Sequence, residues 1–448
     1  MKIYSIVIKK KINSFKKKLS IKSGCKSISH RFFLIASKGI GKSTAVNVAE
    51  GSDVLNTIHA LRQLNVRIFK KKNIYYCFGN GLDSYHTNKK SIRINCGNSG
   101  STARMLAGTC ATFPKKILLT GDSSLKKRDM SRIFMLEKFG AKFEPIGGKK
   151  LPLSIIGSEI PIADNFSENI GSSQVKSAYL FGALGSYGTS LITENILSRD
   201  HTEKMLLEAN AAIKIKKFKK YNLISVDGKK EYNAINIKIP NDPSSAACLV
   251  ALTLLSKGSE IKLTNILLNK FRIGFYKTVK RFGGNIRLTD IKTVNKEKVG
   301  TIIAKSSNLK PMTCGKDIVS SQVDEYPLLF LLAGLCSKSI SKFSGISTLR
   351  GKESDRILES QKLLKKFNIK TQSTKDSLKI WGNSNVKLNK SYSFHSNDHR
   401  MVMTAIIAAL TFGGNFKISN VNCINISFPG FLKIMKKIGA TYEIKKKY

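Results

Sequence analysis

The sequence predicts an α/β (α+β) protein made of two similar domains, and three observations predict it. A helix-like segment that ends at glycine or asparagine and runs into a short strand-like segment occurs six times. The pivots are Asn65, Gly140, Asn210, Gly283, Asn368 and Gly439, about 70 to 85 residues apart and three to each half of the chain. Near the middle, Ile239-Pro240-Asn241-Asp242-Pro243 places two prolines around a turn-forming pair, and Ser244-Ser245-Ala246-Ala247 then opens a new helix pattern.

In chain order the six copies cover 58–69, 136–143, 206–213, 279–288, 363–369 and 434–444. Glycine and asparagine are the residues that tolerate the left-handed conformation ending many helices, so each pivot has a physical cause. A chain of 448 residues with 42% hydrophobic and 24% charged residues can bury cores for two domains. The eight cysteines show no C-x-x-C pair and no metal-type spacing with the six histidines. They read as core residues in a reducing compartment. The basic N-terminus lacks the apolar run of a signal peptide, and no stretch is long enough to span a membrane. A cytoplasmic protein is expected.

The formal net charge of +48 invites a nucleic-acid reading. Against it, the lysines are dispersed, only 14 of the 77 basic residues are arginine, and aromatic residues are not interleaved with them in stacking patterns. No nucleic-acid partner is expected. The few arginines instead cluster in motif-like segments. Gly97-Asn98-Ser99-Gly100-Ser101-Thr102-Ala103-Arg104 is a small-residue loop running into an apolar helix pattern, which is a ready anion site. Arg31 stands before Phe32-Phe33-Leu34, Arg356 before Ile357-Leu358, and Arg400 before the apolar run 401–410. These placements predict helix starts gathering around a shared anion, gripped by guanidinium groups that lysine cannot replace. Gly39-Ile40-Gly41-Lys42-Ser43-Thr44 resembles the end of a phosphate-binding P-loop, but Ala36 stands where the motif needs glycine. It reads as a turn between a helix and the strand-like 45–48.

Seven motifs, in order, carry a family resemblance. They are Lys26-Ser27-Ile28-Ser29-His30-Arg31, Gly97 to Thr102 as above, Ser198-Arg199-Asp200-His201-Thr202-Glu203, Asp242-Pro243-Ser244-Ser245-Ala246-Ala247, Asp324-Glu325-Tyr326-Pro327, Lys352-Glu353-Ser354-Asp355-Arg356 and Asp398-His399-Arg400. Together they resemble the EPSP synthase (3-phosphoshikimate 1-carboxyvinyltransferase) family of enolpyruvyl transferases. The resemblance implies two domains of three βαβαββ units each, inverted α/β barrel-like, with the active site in the interdomain cleft. Residues 25–241 would form the first domain, and 1–24 with 242–448 the second. It implies transfer of the enolpyruvyl group of phosphoenolpyruvate to the 5-hydroxyl of shikimate 3-phosphate, in the shikimate pathway to chorismate and the aromatic amino acids. It further implies no metal or organic cofactor, small-molecule partners only, no membrane partner, and a monomeric chain.

The same resemblance assigns residues. Asp324 would accept the hydroxyl proton; in isolation it also reads as a helix-capping acid. Lys26 and Glu353 would handle the proton at the methylene carbon. Shikimate 3-phosphate would be bound by Lys26, Ser27, Arg31, Ser172, Ser173, Gln174, Ser198, Arg199, Asp324 and Lys352. Phosphoenolpyruvate would be bound by Lys26, Asn98, Gly100, Arg128, Gln174, Arg356 and Arg400. Three positions depart from the family pattern: Cys25 where aspartate is usual, Asp129 where proline follows the arginine, and Ile426 where some members carry lysine. Cys25 is expected to change the surroundings of Lys26, and Asp129 to neutralise Arg128 in part. UDP-N-acetylglucosamine enolpyruvyl transferase is the nearest rival, but segment 121–130 lacks its reactive cysteine. A basic RNA-binding protein is the rival of another class.

Overall fold

The computed structural model describes residues 4–336, 339–386, 388 and 391–446. Residues 1–3, 337–338, 387, 389–390 and 447–448, all within the expected second domain, lie outside the described residues. The chain divides into two compact units. The first comprises Gly24–Ile239 with Val294–Glu297; the second comprises the remaining described residues before Gly24, from Pro240 to Thr293, and from Lys298 onward.

Among the described residues there are six four-stranded sheets, three per unit. In the first unit, Ser91–Asn95 pairs parallel with Lys116–Thr120, which pairs antiparallel with Leu153–Ile156, and Lys142–Pro145 forms the far edge. Strand, helix, strand, helical segment and two strands follow one another along the chain, so this sheet is a βαβαββ unit. The sheet built on Thr189–Glu194 repeats it, with Phe166–Glu168 as the parallel edge. The third sheet takes its parallel edge from Asn236–Lys238 beside Ile40–Val46, so the last strand of the unit completes its first sheet.

The second unit uses the same order. Thr313–Cys314 lies parallel to Ile340–Ser344, which continues to Ser377–Trp381 and Thr371–Ser373. Lys16–Leu19 lies parallel to Glu260–Leu267, which pairs with Glu297–Lys305. The third sheet holds Tyr4–Ile8 between Phe416–Ser419 and Glu443–Lys446, with Tyr392–His395 at the edge. The N-terminal strand is thus an interior strand of a sheet whose other members come from the C-terminal end.

One face of each sheet is apolar because its strands alternate, as in the exposed–buried pattern of Ile340–Ser344. That face is covered by helices of two kinds. Pro243–Leu255, Tyr326–Gly334 and His399–Phe412 are buried along nearly their whole length and pack on one another in the second unit. Lys26–Ala36, Gly100–Cys110 and Ser173–Leu184 hold the matching places in the first unit. A side chain at Gly108 would overlap the Ala178 carbonyl, so glycine permits the close approach of the last two helices. Helices such as Gly274–Arg281 bury one face only.

All six predicted pivots adopt positive φ: Asn65 61°, Gly140 86°, Asn210 55°, Gly283 95°, Asn368 56° and Gly439 104°. Local details differ from expectation. The segment before Gly140 is a 3-10 helix, Ser131–Phe139, and not an α-helix. Strand Ile40–Val46 already contains Gly41-Lys42-Ser43, so the P-loop-like segment is mostly strand, not turn. The first helix starts at Lys26, placing Arg31 in its second turn and not at its start. All eight cysteines are free and buried.

Candidate active site

The expected residues fall into two groups, one in each unit. In the first unit, helix N-termini supply most of them. Cys25 is the N-cap of Lys26–Ala36, in extended conformation, and Lys26 Nζ donates to Asp53 Oδ2 at 2.7 Å. The acid beside Lys26 therefore comes from Asp53, at the start of the next helix, and the Cys25 departure leaves Lys26 with a carboxylate partner. Arg31 is 2% exposed and acts as a hub. Its Nε donates to Thr202 Oγ1 (2.7 Å), Nη1 to the Ser27 carbonyl (2.9 Å), and Nη2 to the Ser173 carbonyl (3.1 Å) and Ser177 Oγ (3.0 Å). Arg199 Nη1 donates to Ser27 Oγ at 3.2 Å. Ser27, Arg31, Ser173 and Arg199, spread over the sequence, are one cluster.

Ser172 caps the Ser173–Leu184 helix by accepting from the Val175 N–H. Gln174, in its first turn, joins this cluster to the small-residue loop. Its Nε2 donates to Ser101 Oγ (2.8 Å), and its Oε1 accepts from Arg104 Nη1 (3.1 Å). In that loop, Ser99 caps Gly100–Cys110 through the Thr102 N–H, and Arg128 Nη2 donates to Asn98 Oδ1 at 2.7 Å. A Cβ on Gly100 would stand 2.8 Å from Arg104 Nη1 and 3.4 Å from Arg128 Nη1. Two guanidinium groups therefore converge on one helix N-terminus, a concentration of positive potential suited to phosphate or carboxylate. The Asp129 carboxylate takes the Ser131 N–H (2.9 Å) and hydroxyl (2.6 Å), and the nearby Arg104 donates to its backbone carbonyl.

A buried polar chain ties three helices of this unit together. His30 Nδ1 meets Thr57 Oγ1 at 2.7 Å, Thr57 Oγ1 meets Thr102 Oγ1 at 2.7 Å, and Thr102 Oγ1 donates to Ser99 Oγ at 2.8 Å. Burial, then the charges of Lys26 and Arg31, hold the His30 pKa well below the ordinary value. Ser198, 3% exposed, gives both its N–H and its hydroxyl to Glu194.

In the second unit the centre is Arg356, at the start of the Arg356–Lys365 helix and 1% exposed. Its Nε donates to Asp398 Oδ2 at 2.8 Å and its Nη2 to Glu353 Oε2 at 2.6 Å, while Nη1 lies 3.6 Å from Asp324 Oδ1. Burial opposes this charge, but Asp398, Glu353 and Asp324 together raise its pKa. The two acids expected to move protons, Asp324 and Glu353, are thus held on one guanidinium. Asp324 is not the helix cap that its sequence context allows; Glu325 stands at that position, without a side-chain capping bond. Burial first, and the Asp324 charge second, push the Glu325 carboxyl upward.

Asp398 caps the His399–Phe412 helix through the Arg400 N–H while also holding Arg356. The Arg400 guanidinium is buried, its Nε has no hydrogen-bond partner, and it lies in the field of Asp324, Glu325 and Asp242. Lys352 is half-buried in the turn before Glu353. Ile426 packs against the apolar core of this unit.

Motif reading missed Arg104 as a partner of Gln174, Asp53 as the partner of Lys26, and Arg272, which donates to Asp242 Oδ1 (3.0 Å) and Ser244 Oγ (2.9 Å). Arginine scarcity was a usable signal for Arg104 and Arg272. Asp53 gave none, because its role appears only when two helices meet.

Paired units of three sheets each, with arginines gathered at helix starts, define the enolpyruvyl transferase class of fold. The enolpyruvyl transferase NikO from Streptomyces tendae shares it, with a TM-score of 0.78 at 11% identity over the whole of both chains. The chain belongs more narrowly to the EPSP synthase (3-phosphoshikimate 1-carboxyvinyltransferase) family, whose model matches residues 9–435. It is 34% identical over 428 residues to 3-phosphoshikimate 1-carboxyvinyltransferase of Zymomonas mobilis, covering 94% of each chain. It is 37% identical to that of Caldicellulosiruptor bescii over 414 residues, 92% of this chain and 94% of the relative. EPSP synthase from Acinetobacter baumannii superimposes with a TM-score of 0.84 at 29% identity, over 99% of this chain and 100% of that one. Among the described residues no helix is long and apolar enough to cross a membrane.

Proposed function

We propose that the chain transfers the enolpyruvyl group of phosphoenolpyruvate to the 5-hydroxyl of shikimate 3-phosphate, releasing inorganic phosphate, as a cytoplasmic monomer. The observation that carries this is the Arg356 group, in which one buried guanidinium holds Asp324 and Glu353. The reaction needs a base for the hydroxyl proton and an acid for the methylene carbon, and both must be held ready without neutralising each other. The 5-hydroxyl oxygen bonds to C2 of phosphoenolpyruvate as Asp324 takes its proton. Lys26 and Glu353 handle the proton that the methylene carbon gains. Loss of a proton from that carbon and rupture of the bond to phosphate then give the product and inorganic phosphate.

The binding residues are divided between the two substrates. Lys26, Ser27, Arg31, Ser172, Ser173, Gln174, Ser198, Arg199, Asp324 and Lys352 serve shikimate 3-phosphate. Asn98, Gly100, Arg128, Gln174, Arg356 and Arg400, with Lys26, serve phosphoenolpyruvate. Arg104 joins the second set, because its guanidinium shares the Gly100 helix start with Arg128. Guanidinium groups around the departing phosphate stabilise charge as it develops. The test is phosphate release from phosphoenolpyruvate with and without shikimate 3-phosphate. Release that depends on the acceptor is expected; none in its presence overturns the proposal.

A further inference from the structure

The serine loops of the first unit are each anchored by a buried carboxylate that no family motif in the sequence singles out. Glu168 and Glu194 end neighbouring parallel strands, Phe166–Glu168 and Thr189–Glu194, and are register partners. Each is 1% exposed. Glu168 turns back on the loop that follows it, accepting the N–H groups of Ile170 (3.2 Å), Gly171 (2.7 Å) and Ser172 (3.1 Å). Glu194 does the same one strand over. Its Oε1 accepts from the Ser198 N–H (2.9 Å) and the Ser198 hydroxyl (2.8 Å), and its Oε2 from Asn222 Nδ2 (3.0 Å).

A carboxylate beside a phosphate-binding loop works against phosphate unless it is neutralised. Lys176 does this. Fully buried, and in the helix that Ser172 caps, it donates to Glu194 Oε1 (2.5 Å) and Glu203 Oε1 (2.6 Å). Burying one ammonium with two carboxylates is a costly arrangement that stability alone does not favour. Burial, as the foremost cause, raises the Glu203 carboxyl, and the Lys176 ammonium works against it. Glu203 lies in the first turn of the His201–Glu208 helix that follows the Ser198–Arg199 loop, so the same ammonium holds a carboxylate on either side of that loop. The neighbouring Arg199 is the cation that meets Ser27.

We propose that Glu194, charge-balanced by Lys176, is a positioning residue for shikimate 3-phosphate. It sets the Ser198–Arg199 loop and stores the Ser198 hydroxyl hydrogen until a phosphate oxygen accepts it instead. When that hydroxyl turns to the ligand, Lys176 and Asn222 remain to satisfy the Glu194 carboxylate. This rests on the substrate assignment proposed above.

The test compares Glu194→Ala and Glu194→Gln in the full chain. Glutamine keeps an oxygen acceptor for Ser198, and alanine removes it. Glu194→Ala is expected to raise KM for shikimate 3-phosphate about tenfold or more while KM for phosphoenolpyruvate stays within about twofold. Glu194→Gln is expected to recover most of the loss, and in Glu194→Ala hydrogen exchange at the Ser198 amide is expected to quicken without ligand. Equal rises in both KM values, no rise in either, or a glutamine variant as impaired as alanine would overturn the proposal. Should Glu194→Ala fail to fold, Glu194→Gln against Lys176→Met carries the test. The methionine leaves Glu194 without its cation and is expected to weaken shikimate 3-phosphate binding the more; equal effects overturn the proposal. Acceptor-dependent turnover that Ser198→Ala impairs but Glu194→Ala does not would refute the positioning role alone. Absence of any acceptor-dependent turnover in the unaltered protein would instead refute the substrate assignment.

Discussion

Arg356 organises more chemistry than any other single side chain described above. It binds Asp398, which caps the next anion-bearing helix, and it holds Asp324 and Glu353 by their carboxylates. Because Arg356 keeps two other acidic partners, Asp324→Asn is expected to fold normally and to leave both KM values within about threefold. Its kcat should fall by about 10² to 10⁴, the range for loss of a positioned base, as measured by steady-state phosphate release. An unchanged kcat would remove Asp324 from proton transfer. At this scale the motifs named Asp324, Glu353, Arg356 and Arg400 directly, since each sits in a short run with recognisable neighbours. Asp53, Glu194 and Lys176 were invisible for a physical reason. Their partners lie on other elements, and a buried ion pair leaves no periodicity in the chain.

The elements were legible where a local rule fixes them. Each pivot needs a left-handed residue, and each has one. Gly439 allows a clean measurement, since φ is 104° and a Cβ there would meet no atom within 4 Å. Gly439→Ala should therefore cost only backbone strain, about 1 kcal/mol in urea unfolding. No loss would mean the helix end relaxes. Elements held by distant charge were not legible. The His201–Glu208 helix is fixed by Glu297, which accepts from Lys204 Nζ (2.9 Å) and pairs with His201 Nδ1 (2.6 Å). Lys204 Nζ also reaches Asp200 Oδ1 (3.2 Å), so an ammonium already occupies the centre of this acid–histidine group. Burial raises the Glu297 pKa, but His201 and Lys204 outweigh it and hold the carboxyl at about 2, below its ordinary 4.5. On acidification the unfolded chain takes this proton first. The stabilisation is complete above about pH 4.5 and is lost as pH falls toward 2, on the order of 3 kcal/mol. Glu297→Gln should flatten the stability–pH slope in that window; an unaltered slope would show that other groups set it.

For the molecule as a whole, the six-fold repeat disclosed two domains of three units from one sequence. The family resemblance was needed to see that the second is discontinuous, because a lone N-terminal strand has no repeat of its own. The consequence is asymmetric. The first unit is contiguous from Gly24 to Ile239 apart from the short segment Val294–Glu297, whereas the second depends on residues 4–19 for strands in two sheets. Expressed alone, residues 24–239 are expected to show native-like circular dichroism and cooperative unfolding. The full chain lacking residues 1–23 should lose Tyr4–Ile8 from the interior of a sheet and show a disrupted second unit. Two intact transitions in that truncated protein would contradict this.

The place of Tyr4–Ile8 also sets an order of events during synthesis. Its neighbours on both sides, Phe416–Ser419 and Glu443–Lys446, are made only after all of Gly24–Ile239. Tyr4–Ile8 must therefore wait without these two partners while the unit between Gly24 and Ile239 can already close. The lysines at Lys9, Lys10 and Lys11 flank that waiting strand, and charge beside an open apolar edge discourages pairing with the wrong chain. A strand made before the first unit thus finds its partners only after that unit is complete.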